Sequence, residues 1–501
     1  MRRLKVQRPS REELIALAKA DPEAIADLVL SLWDRVEALE KLETRIAELE
    51  RNSRSSSKPP SSDKGNFTNP PKPKSLRKKS TRKTGGQKGH PGSTLEKVTN
   101  PDHIVIHDLP TDATCPDCGT RLSVEKGKEN DNEVRQVFDL PPVELEVTEH
   151  QARRCICSDC GKRVTAPFPD EVKAPVQYGP RVQAAALYLG GYQLLPYGRL
   201  HELFSELFNA PLSEGTLANI VKRGSQKAST AMETIREALI KSSVAHADET
   251  GCTLHGRRHW LHVFSTKKLT AYHLDAKRGT EAMERMGLIP RFDGLLIHDC
   301  LGAYFTFKNC LHGLCNAHLQ RELTYLHEQL DQAWAADMIG LLLEAKELAA
   351  REMNREEGSR HVIGKGRTEK VLTRYDEILK AGYSINPEPP PKPKGQRGRV
   401  ARGKALNLLD RFDKHRDEIM GYFLSPGLYP YDNNQAERDV RMAKVREKIS
   451  GTFRSEEHAK GFCEIRSIIS STRKQGRAML KSLSELITHP TKLGSSLAQG
   501  S

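Results

Sequence analysis

Hydrophobic residues near the N-terminus recur at heptad spacing. Two alternating sets carry the pattern, interrupted by Arg35: Ile25, Leu32, Leu39 and Ile46 in one set, and Leu28, Leu42 and Leu49 in the other. This spacing predicts a helical region over residues 1–50 that pairs with a second copy of the chain as a short coiled coil. The alternative is a single amphipathic helix packed on its own domain.

Helical periodicity returns over residues 173–240. Apolar residues at Val182, Ala186 and Leu189 are followed by a helical pattern from Leu200 to Phe208. A last helix begins near Leu212, with Ser213 as its predicted N-cap. Its spacing from the preceding helix is compatible with a helix-turn-helix, in which Thr216, Asn219 and Lys222 face a DNA groove. A plain helical linker is equally compatible.

Strand-like patterns begin after Ser243. The segments 244–248, 259–264 and 269–274 read as strands, a helix covers about 280–286, and residues 294–299 read as a fourth strand. Three strands, a helix and a fourth strand is the element order of a ribonuclease-H-like core. In that core the first and fourth strands lie side by side.

Each of those two strands ends in an acidic residue. Period-two alternation puts Asp248 on the same face as Val244 and His246, with Glu249 on the opposite face. We therefore choose Asp248, with Glu249 as the fallback, and Asp299 over Asp293 because Asp299 stands at the C-terminal end of its strand. Two carboxylates at one sheet edge repel each other and require a cation, for which oxygen ligands select Mg²⁺ or Mn²⁺.

A third acidic residue lies on a predicted helix near the C-terminus. Pro430 and Asp432 signal the helix start, and Ala436, Val440 and Ala443 form a narrow apolar face. Glu437 lies beside that face, where its carboxylate would reach the sheet edge. From the residues alone, an ion pair with Arg441 one turn later is the favoured interpretation.

The long segment between Asp299 and Glu437 is rich in leucine at helical spacing. It predicts a helical insertion over about 318–425, with the Pro/Lys/Arg stretch 387–404 as a loop that touches the DNA backbone. Four metal-ligating residues stand at its start: Cys310, His312, Cys315 and His318. They are a candidate second metal site, although histidines at such a turn are more often structural.

Two cysteine pairs predict a zinc-binding domain over residues 96–172. Cys115 and Cys118 in one pair, and Cys157 and Cys160 in the other, are each followed by glycine. Two such turns make a four-sulfur zinc site, which is structural because it has no open coordination position. Alternating residues at 134–138 and 143–147 predict the strands of a zinc ribbon. Cys155 is an alternative to Cys157.

The charge of the chain points to a nucleic-acid partner. Its formal net charge is +14, and residues 51–90 carry 12 basic residues against one acidic residue, Asp63. This segment, within a linker over 51–95, has few apolar residues and is predicted to be disordered. It neutralises phosphates without reading sequence, and its candidate DNA-binding residues include Lys78, Lys79, Arg82 and Lys83. A solvated spacer is the alternative.

No apolar run is long enough to span a membrane, and the N-terminus lacks the apolar core of a signal peptide. We therefore expect a soluble, cytoplasmic, nucleoid-associated protein. Five of the ten cysteines fall in two short clusters, as metal ligands do.

Seven segments together resemble the insertion sequence 66 family of bacterial DDE transposases. They occur in the family's order over nearly the whole chain: NSRSSSKPPSSD, GGQKGHPG, CPDCG, HADETG, IHDCLGAY, YDNNQAERDVRMAKVREKISGTFRS and STRKQG. One departure is the cluster CICSDC, where the family pattern has a single pair of cysteines, and this leaves the choice between Cys155 and Cys157 open.

The resemblance implies a multidomain α+β protein with a ribonuclease-H-like catalytic domain over 241–445 and a C-terminal helical segment over 446–501. It implies that Asp248, Asp299 and Glu437 hold two Mg²⁺ or Mn²⁺ ions and catalyse cleavage and joining of double-stranded DNA. Four residues after the triad are candidate phosphate contacts: Lys444, Arg446, Lys448 and Arg454.

The resemblance also suggests accessory transposition proteins, and together with the heptads it favours a homo-oligomer. Two other functions fit parts of the sequence. One is a ribonuclease-H-like nuclease without strand transfer, and the other is a non-catalytic zinc-containing DNA-binding regulator.

Overall fold

A computed structural model describes most of the chain. The described residues are 15–16, 19–23, 25–27, 29–35, 95–107, 109–121, 133–141, 143–354, 362–391, 400 and 402–500. Those between 15 and 35 are helical except Asp21. Most of the heptad residues and the basic residues Lys78, Lys79, Arg82 and Lys83 lie outside the described part of the chain. The coiled coil therefore stays a prediction.

Seven strands are numbered in chain order: β1 Arg154–Ile156, β2 Arg163–Thr165, β3 Val244–Leu254, β4 Arg257–Ser265, β5 Thr270–Asp275, β6 Leu295–His298 and β7 Leu311–Leu314. Three numbered helices precede the central sheet in sequence, and a fourth lies between β5 and β6: α1 Pro180–Leu187, α2 Tyr197–Phe208, α3 Glu214–Ile240 and α4 Thr280–Met286. The remaining helices are α5 Asn316–Leu330, α6 Ala333–Met353, α7 Lys365–Ile385, α8 Lys404–Lys414, α9 Arg416–Leu424, α10 Asn434–Ser450, α11 Glu456–Lys474, α12 Met479–Thr488 and α13 Pro490–Gln499.

The central sheet has five strands in the order β5-β4-β3-β6-β7. Strands β3, β4 and β5 are antiparallel neighbours, whereas β6 runs parallel to β3 and β7 runs parallel to β6. In chain order β3 and β6 are the first and fourth strands of this sheet, and they are adjacent, as the sequence predicts. Because the two strands are parallel, the C-terminal end of β6 lies beside the middle of β3, which continues to Leu254, beyond the end predicted at residue 248.

The two faces of the sheet are covered by different helices. On one face, Leu261, Val263 and Tyr272 pack with Ala436 and Val440 of α10 in a cluster that α11 completes. The buried stripe predicted for α10 is confirmed, because Ala436, Val440 and Ala443 are its buried apolar residues. On the other face, the core includes residues of β3, β4 and β6 and of helices that precede and follow the sheet in sequence.

Helix α3 begins where the sequence predicts. The Ser213 hydroxyl caps it by accepting a hydrogen bond from the backbone N–H of Thr216 at 3.1 Å. Helix α3 continues to Ile240 and packs against α11 and α13. Thr216 is partly buried, whereas Asn219 and Lys222 are exposed, and Lys222 forms an ion pair with Glu457 at 3.0 Å. The helix-turn-helix stays a prediction.

Helices α5 to α9 lie between β7 and α10, where a helical insertion is predicted. They form their own apolar core around Trp334, Tyr375 and Phe412. Tyr375 donates a hydrogen bond to the Phe412 carbonyl at 2.7 Å. The insertion is therefore a folded unit joined to the edge of the sheet.

The described residues of the cysteine-rich region form little regular structure. Strands β1 and β2 pair antiparallel around the second cysteine turn. The strands predicted at 134–138 and 143–147 are wrong, since no residue described there belongs to a strand. Val137 and Val147 are 91% and 88% exposed, so the alternating pattern here does not mark a buried face.

Among the residues that the structure describes, no helix has the length and apolar character needed to cross a membrane.

The segment after α10 closes the sheet face. Phe453 is 1% exposed and forms a parallel bridge with Leu254 at the end of β3. Its backbone N–H donates to the Thr253 carbonyl at 3.1 Å. Gly451 precedes it with a φ of +72°, a conformation that glycine adopts without strain.

We expect Phe453→Ala to lower the free energy of unfolding by about 3 to 5 kcal/mol, because it removes a fully buried ring. Chemical denaturation of the full chain measures this. Thr452→Ala, at an exposed position next to it, is the matched control. Equal stability of the two variants would contradict the packing described.

Candidate active site

The register of the sheet brings Asp248 beside the end of β6, which Asp299 directly follows. Residues paired in a sheet share a face, and His246 pairs with Ile297 across the parallel β3–β6 ladder. Asp248 and Asp299 each lie two residues further along. Asp248 also pairs with Val263, whose side chain packs in the cluster beneath α10. Asp248 therefore points toward helix α10, whereas Asp299 lies just beyond the paired residues of β6.

Asp248 lies in an acidic environment. Burial raises the pKa of its carboxyl well above the usual value, and the neighbouring carboxylates of Glu249, Asp299 and Glu437 raise that pKa further. Its side chain accepts a hydrogen bond from the Glu249 backbone N–H at 2.8 Å. The charge-bearing groups of β3, β6 and α10 thus interact at one place.

Asp299 is 6% exposed and follows the last residue of β6. Burial and the Glu249 carboxylate raise its pKa to about 7, against the opposing effect of Arg278. The carboxylate accepts a hydrogen bond from the Leu301 backbone N–H at 3.0 Å. Arg278 Nη2 lies 3.9 Å from Asp299 Oδ2.

Glu249, the alternative to Asp248, lies on the opposite face of β3, and its carboxylate is already paired with a cationic side chain. It is 1% exposed, accepts hydrogen bonds from Arg278 Nε at 2.8 Å and from the Tyr304 hydroxyl at 2.7 Å, and pairs with Arg278 Nη2 at 2.7 Å. A carboxylate held by a guanidinium and a phenol is less available to a metal ion than Asp248. The contacts therefore favour Asp248.

Glu437 lies in the first turn of α10 and contacts the start of α5. Its Oε1 atom lies 3.2 Å from His318 Nδ1, 3.3 Å from Arg321 Nη2 and 3.9 Å from Cys315 Sγ. The Glu437 side chain is 19% exposed. Its cationic partner is thus Arg321 of the insertion, not the Arg441 expected from helical spacing.

The buried side chain of Asn433 fixes the start of α10 against β3. Its amide N–H donates to the Ala247 carbonyl at 2.8 Å, and its amide oxygen lies 3.0 Å from His246 Nδ1. Its backbone N–H donates to Cys315 Sγ at 3.2 Å. Asn433 is fully buried. It therefore joins α10, β3 and the β7–α5 junction within one turn of Glu437.

A second contact fastens α10 further along. Lys474 Nζ pairs with Asp439 Oδ2 at 2.6 Å and donates to the Thr270 hydroxyl at 2.6 Å. The Tyr272 hydroxyl donates to the Asp439 carbonyl at 3.0 Å. Helix α10 is thereby attached to β5 and α11 as well as to β3.

The four residues considered as a second metal site separate into two groups. Cys310 Sγ lies 4.0 Å from His312 Nε2, and neither residue belongs to the group that contains Glu437. Cys315, His318 and Glu437 instead bring one ligand atom each to within 4.8 Å of one another. Within the described residues, Asp248, Asp299 and Glu437 do not form a group that tight.

The two cysteine turns have the same backbone geometry. The N–H of Cys115 donates to the Thr120 carbonyl at 2.8 Å, and that of Cys157 donates to the Lys162 carbonyl at 2.9 Å. Gly119 and Gly161 both have a φ of +70°. Cys157 therefore occupies the place of Cys115, whereas Cys155 lies in β1, which favours Cys157 over Cys155 as the ligand.

Hydrogen bonding within each turn lowers the pKa of one thiol. For Cys118 the largest cause is the Thr120 hydroxyl, and for Cys157 it is the backbone at Cys160. The sulfur atoms of the two turns are not gathered into one group within 4.8 Å in the part of the chain described.

One of the predicted phosphate contacts is corrected. Arg446 is 7% exposed, its guanidinium lies 3.6 Å from the Phe453 ring centroid, and it donates to the Gly451 carbonyl at 2.9 Å. It supports the turn after α10 and does not face solvent. Lys448 and Arg454 are exposed, while Lys444 pairs with Glu447 at 3.0 Å.

Sequence reasoning missed Asn433, His246, Arg278 and Arg321. Asn433 and His246 stand inside two of the motifs, DNNQAER and HADETG, and each is a polar residue beside a predicted apolar face. That combination signals a buried hydrogen bond. The two arginines carry no comparable local signal.

Comparison with known families agrees with this architecture. Residues 175–461 match the Transposase IS66 family, and residues 112–161 match the zinc-finger binding domain of transposase IS66. Residues 8–96 match a family of unknown function (DUF6444). A search of curated proteins finds no match.

The chain is therefore a transposase with a zinc-finger domain, a class of DNA-binding and DNA-modifying proteins. Because the first match covers more than half of the sequence, the chain belongs to the Transposase IS66 family.

The raised pKa of Asp299 generates a prediction about stability. In the unfolded chain this carboxyl has a pKa of about 3.9, so it loses its proton at lower pH than in the folded protein. Its contribution to the free energy of unfolding therefore falls as the pH rises from about 4 to 7.

Asp299→Asn lacks this titration, and we expect its stability relative to wild type to increase over the same pH window. Chemical denaturation in buffer without added magnesium or manganese measures the difference. Asp293→Asn, at an exposed position before β6, is the control and should show no such trend. A difference for Asp299→Asn that is independent of pH would contradict the burial of this carboxyl.

Proposed function

We propose that the chain cuts the ends of an insertion element and joins them to target DNA by two-metal DDE phosphoryl transfer, with Asp248, Asp299 and Glu437 as metal ligands. The observation that carries the proposal is the interaction of these three carboxylates, which come from β3, the end of β6 and α10. Burial is the largest cause of the raised pKa of Asp248, and the carboxylates of Glu249, Asp299 and Glu437 raise that pKa further.

The donor set suits Mg²⁺ or Mn²⁺. All three side chains offer hard oxygen atoms, and their mutual repulsion is relieved by a divalent cation. Asp248 lies in the middle of β3 and Asp299 directly follows β6, whereas Glu437 is presented from a helix. This mixture leaves positions for water and phosphate oxygens, which Mg²⁺ retains in such sites.

Asp248, Asp299 and Glu437 would hold the two ions, which would supply activation of the attacking water or 3′-hydroxyl and stabilisation of the leaving 3′-oxygen in an in-line displacement. The chain's own residues orient the ligands. Leu301 holds the Asp299 carboxylate, Asn433 fixes the helix that carries Glu437, and Arg278 and Arg321 offset the negative charge of the acidic groups. Water attack releases the element's ends, and hydroxyl attack joins them to the target without a covalent enzyme intermediate.

The sheet supports a ribonuclease-H-like core with a helical insertion. Three antiparallel strands and two parallel ones in the order β5-β4-β3-β6-β7 put the first and fourth strands together at the acidic edge. Helices α5 to α9 then separate Asp299 from Glu437 in sequence. The proposed domain bounds are those of the sequence prediction.

The other regions provide DNA binding and assembly in this proposal. Cys115, Cys118, Cys157 and Cys160 hold a structural zinc ion, and the basic linker before them binds phosphates. The N-terminal heptads pair two copies of the chain, and accessory proteins assist transposition. Lys448 and Arg454 are proposed phosphate contacts, supported by their exposure after the active-site helix.

Cleavage and joining of element-end DNA with magnesium tests the triad. We expect Asp248→Asn, Asp299→Asn and Glu437→Gln each to reduce the rates of both reactions at least about 100-fold. Each substitution removes a carboxylate ligand of the metal ions that stabilise the charge of the transition state. Asp293→Asn makes the same substitution at an exposed position just before β6, outside the site, and should retain wild-type rates.

Wild-type activity in Asp299→Asn would show that the triad is misassigned. Cleavage without joining by the wild type would identify a nuclease instead of a transposase.

A second experiment tests the basic linker. Neutralising Lys78, Lys79, Arg82 and Lys83 to alanine should reduce the slope of log affinity against log salt concentration by about 3 to 4, because each phosphate contact contributes about 0.9. Fluorescence anisotropy with duplex DNA at several salt concentrations measures this slope. The matched control neutralises four exposed basic residues of α7 to alanine: Lys365, Arg367, Lys370 and Lys380. An equal change in both variants would contradict a specific role for the linker.

A further inference from the structure

We propose that Cys315, His318 and Glu437 form a second metal site, selective for Zn²⁺ and related transition metals, that competes with magnesium for Glu437. The juxtaposition of a thiol, an imidazole and a carboxylate at the junction of α5 and α10 carries this inference. The existence of the site does not depend on the proposed function. Only the competition rests on the proposed role of Glu437.

The fold holds the three ligands from two directions. Cys315 follows β7 immediately, and His318 lies in the first turn of α5, so one backbone turn presents both side chains. The backbone N–H of Cys315 donates to the His298 carbonyl at 3.0 Å, and the Asn433 N–H donates to its sulfur at 3.2 Å. Glu437 approaches from the first turn of α10. The ligands are therefore positioned by backbone contacts that exist without a metal.

The distances suit tetrahedral zinc. Glu437 Oε1 lies 3.2 Å from His318 Nδ1 and 3.9 Å from Cys315 Sγ, and all three ligand atoms lie within 4.8 Å of one another. Bonds of about 2.0 to 2.3 Å to one zinc ion separate tetrahedral ligand atoms by about 3.3 to 3.8 Å. Small side-chain shifts are enough to reach that geometry.

The imidazole also has an unsatisfied atom aimed at this position. His318 Nδ1 is buried and makes no hydrogen bond, although Glu437 lies close to it. Buried polar atoms without a partner are rare in native structures and often mark an absent water or ion. A metal ion at this point would satisfy the nitrogen.

The ligand types determine selectivity. Thiolate and imidazole favour Zn²⁺ and similar borderline or soft ions, whereas Mg²⁺ prefers oxygen ligands. Three protein ligands leave a fourth position open, unlike a structural four-cysteine site. Cys310 and His312 form a separate contact at 4.0 Å and do not complete the set.

Sharing Glu437 makes the two sites mutually exclusive. In the structure Arg321 lies 3.3 Å from Glu437 Oε1 and balances part of its charge. A zinc ion bound by Cys315 and His318 would hold the carboxylate toward α5 and away from Asp248 and Asp299. Zinc at this site therefore inhibits DNA cleavage, and higher magnesium restores it.

Cobalt binding to the full-length protein, loaded with only the one equivalent of zinc that the four-cysteine site takes, tests the site directly. Co²⁺ bound to a thiolate produces a charge-transfer absorption, which we expect to saturate at one added equivalent in the wild type. Cys315→Ala should abolish that absorption, and His318→Ala should weaken cobalt binding at least about 10-fold while retaining the thiolate band. The His318 variant also decides the matter if Cys315→Ala does not fold.

Cys310→Ala is the matched control, since it removes another buried thiol nearby and should bind cobalt like wild type. Comparison between variants cancels any exchange at the four-cysteine site, which all of them retain. Equal cobalt absorption in wild type, Cys315→Ala and His318→Ala would overturn the proposal.

Inhibition by Zn²⁺ then tests the competition. The zinc concentration for half-inhibition of magnesium-dependent cleavage should increase at least about 10-fold in His318→Ala and rise with magnesium concentration in wild type. Zinc inhibition that changes neither with the His318→Ala substitution nor with the magnesium concentration would refute the competition. If the wild-type protein does not cleave DNA with magnesium even before zinc is added, the proposed function fails. The cobalt titration still decides whether the metal site exists.

Discussion

The buried amide of Asn433 is the contact on which the arrangement of the active site depends. Its two side-chain hydrogen bonds reach Ala247 and His246, the residues just before Asp248, while its backbone N–H reaches the Cys315 sulfur. An asparagine satisfies a donor and an acceptor at once, which an apolar residue cannot do. Because Asn433 directly precedes α10, these bonds determine where Glu437 lies relative to β3. The helical insertion can therefore be long without loosening the geometry, since both of its ends are held at this point.

The acidic groups themselves work against stability. Burial and mutual repulsion raise the pKa values of Asp248 and Asp299, and Arg278 and Arg321 offset only part of the charge. Proteins retain such unfavourable groups mainly where function needs them. A divalent cation among oxygen ligands removes the repulsion that folding alone leaves in place. The neighbouring thiol and imidazole give Glu437 a different set of partners, so this one carboxylate links two kinds of metal chemistry.

Much of this could be predicted from short-range patterns. Alternation along β3 distinguishes Asp248 from Glu249, and the apolar run before Asp299 identifies a strand end. The helical stripe of α10 and the Ser213 cap follow from local physical rules and are confirmed. The errors arise where tertiary context decides. Arg446 is charged on a polar helix, yet an aromatic ring from the following turn buries it. The alternating residues that are described between 134 and 147 belong to no strand. The partners of Glu437 come from α5, which lies more than 100 positions away in sequence and leaves no periodic signal.

The central claim is that Asp248, Asp299 and Glu437 meet around a pair of divalent ions. Anomalous scattering from crystals of the full chain soaked in Mn²⁺ measures this directly. The account predicts two manganese peaks about 3.5 to 4 Å apart, in contact with these three carboxylates. Manganese bound elsewhere, or ligated by Glu249 in place of Asp248, would contradict it.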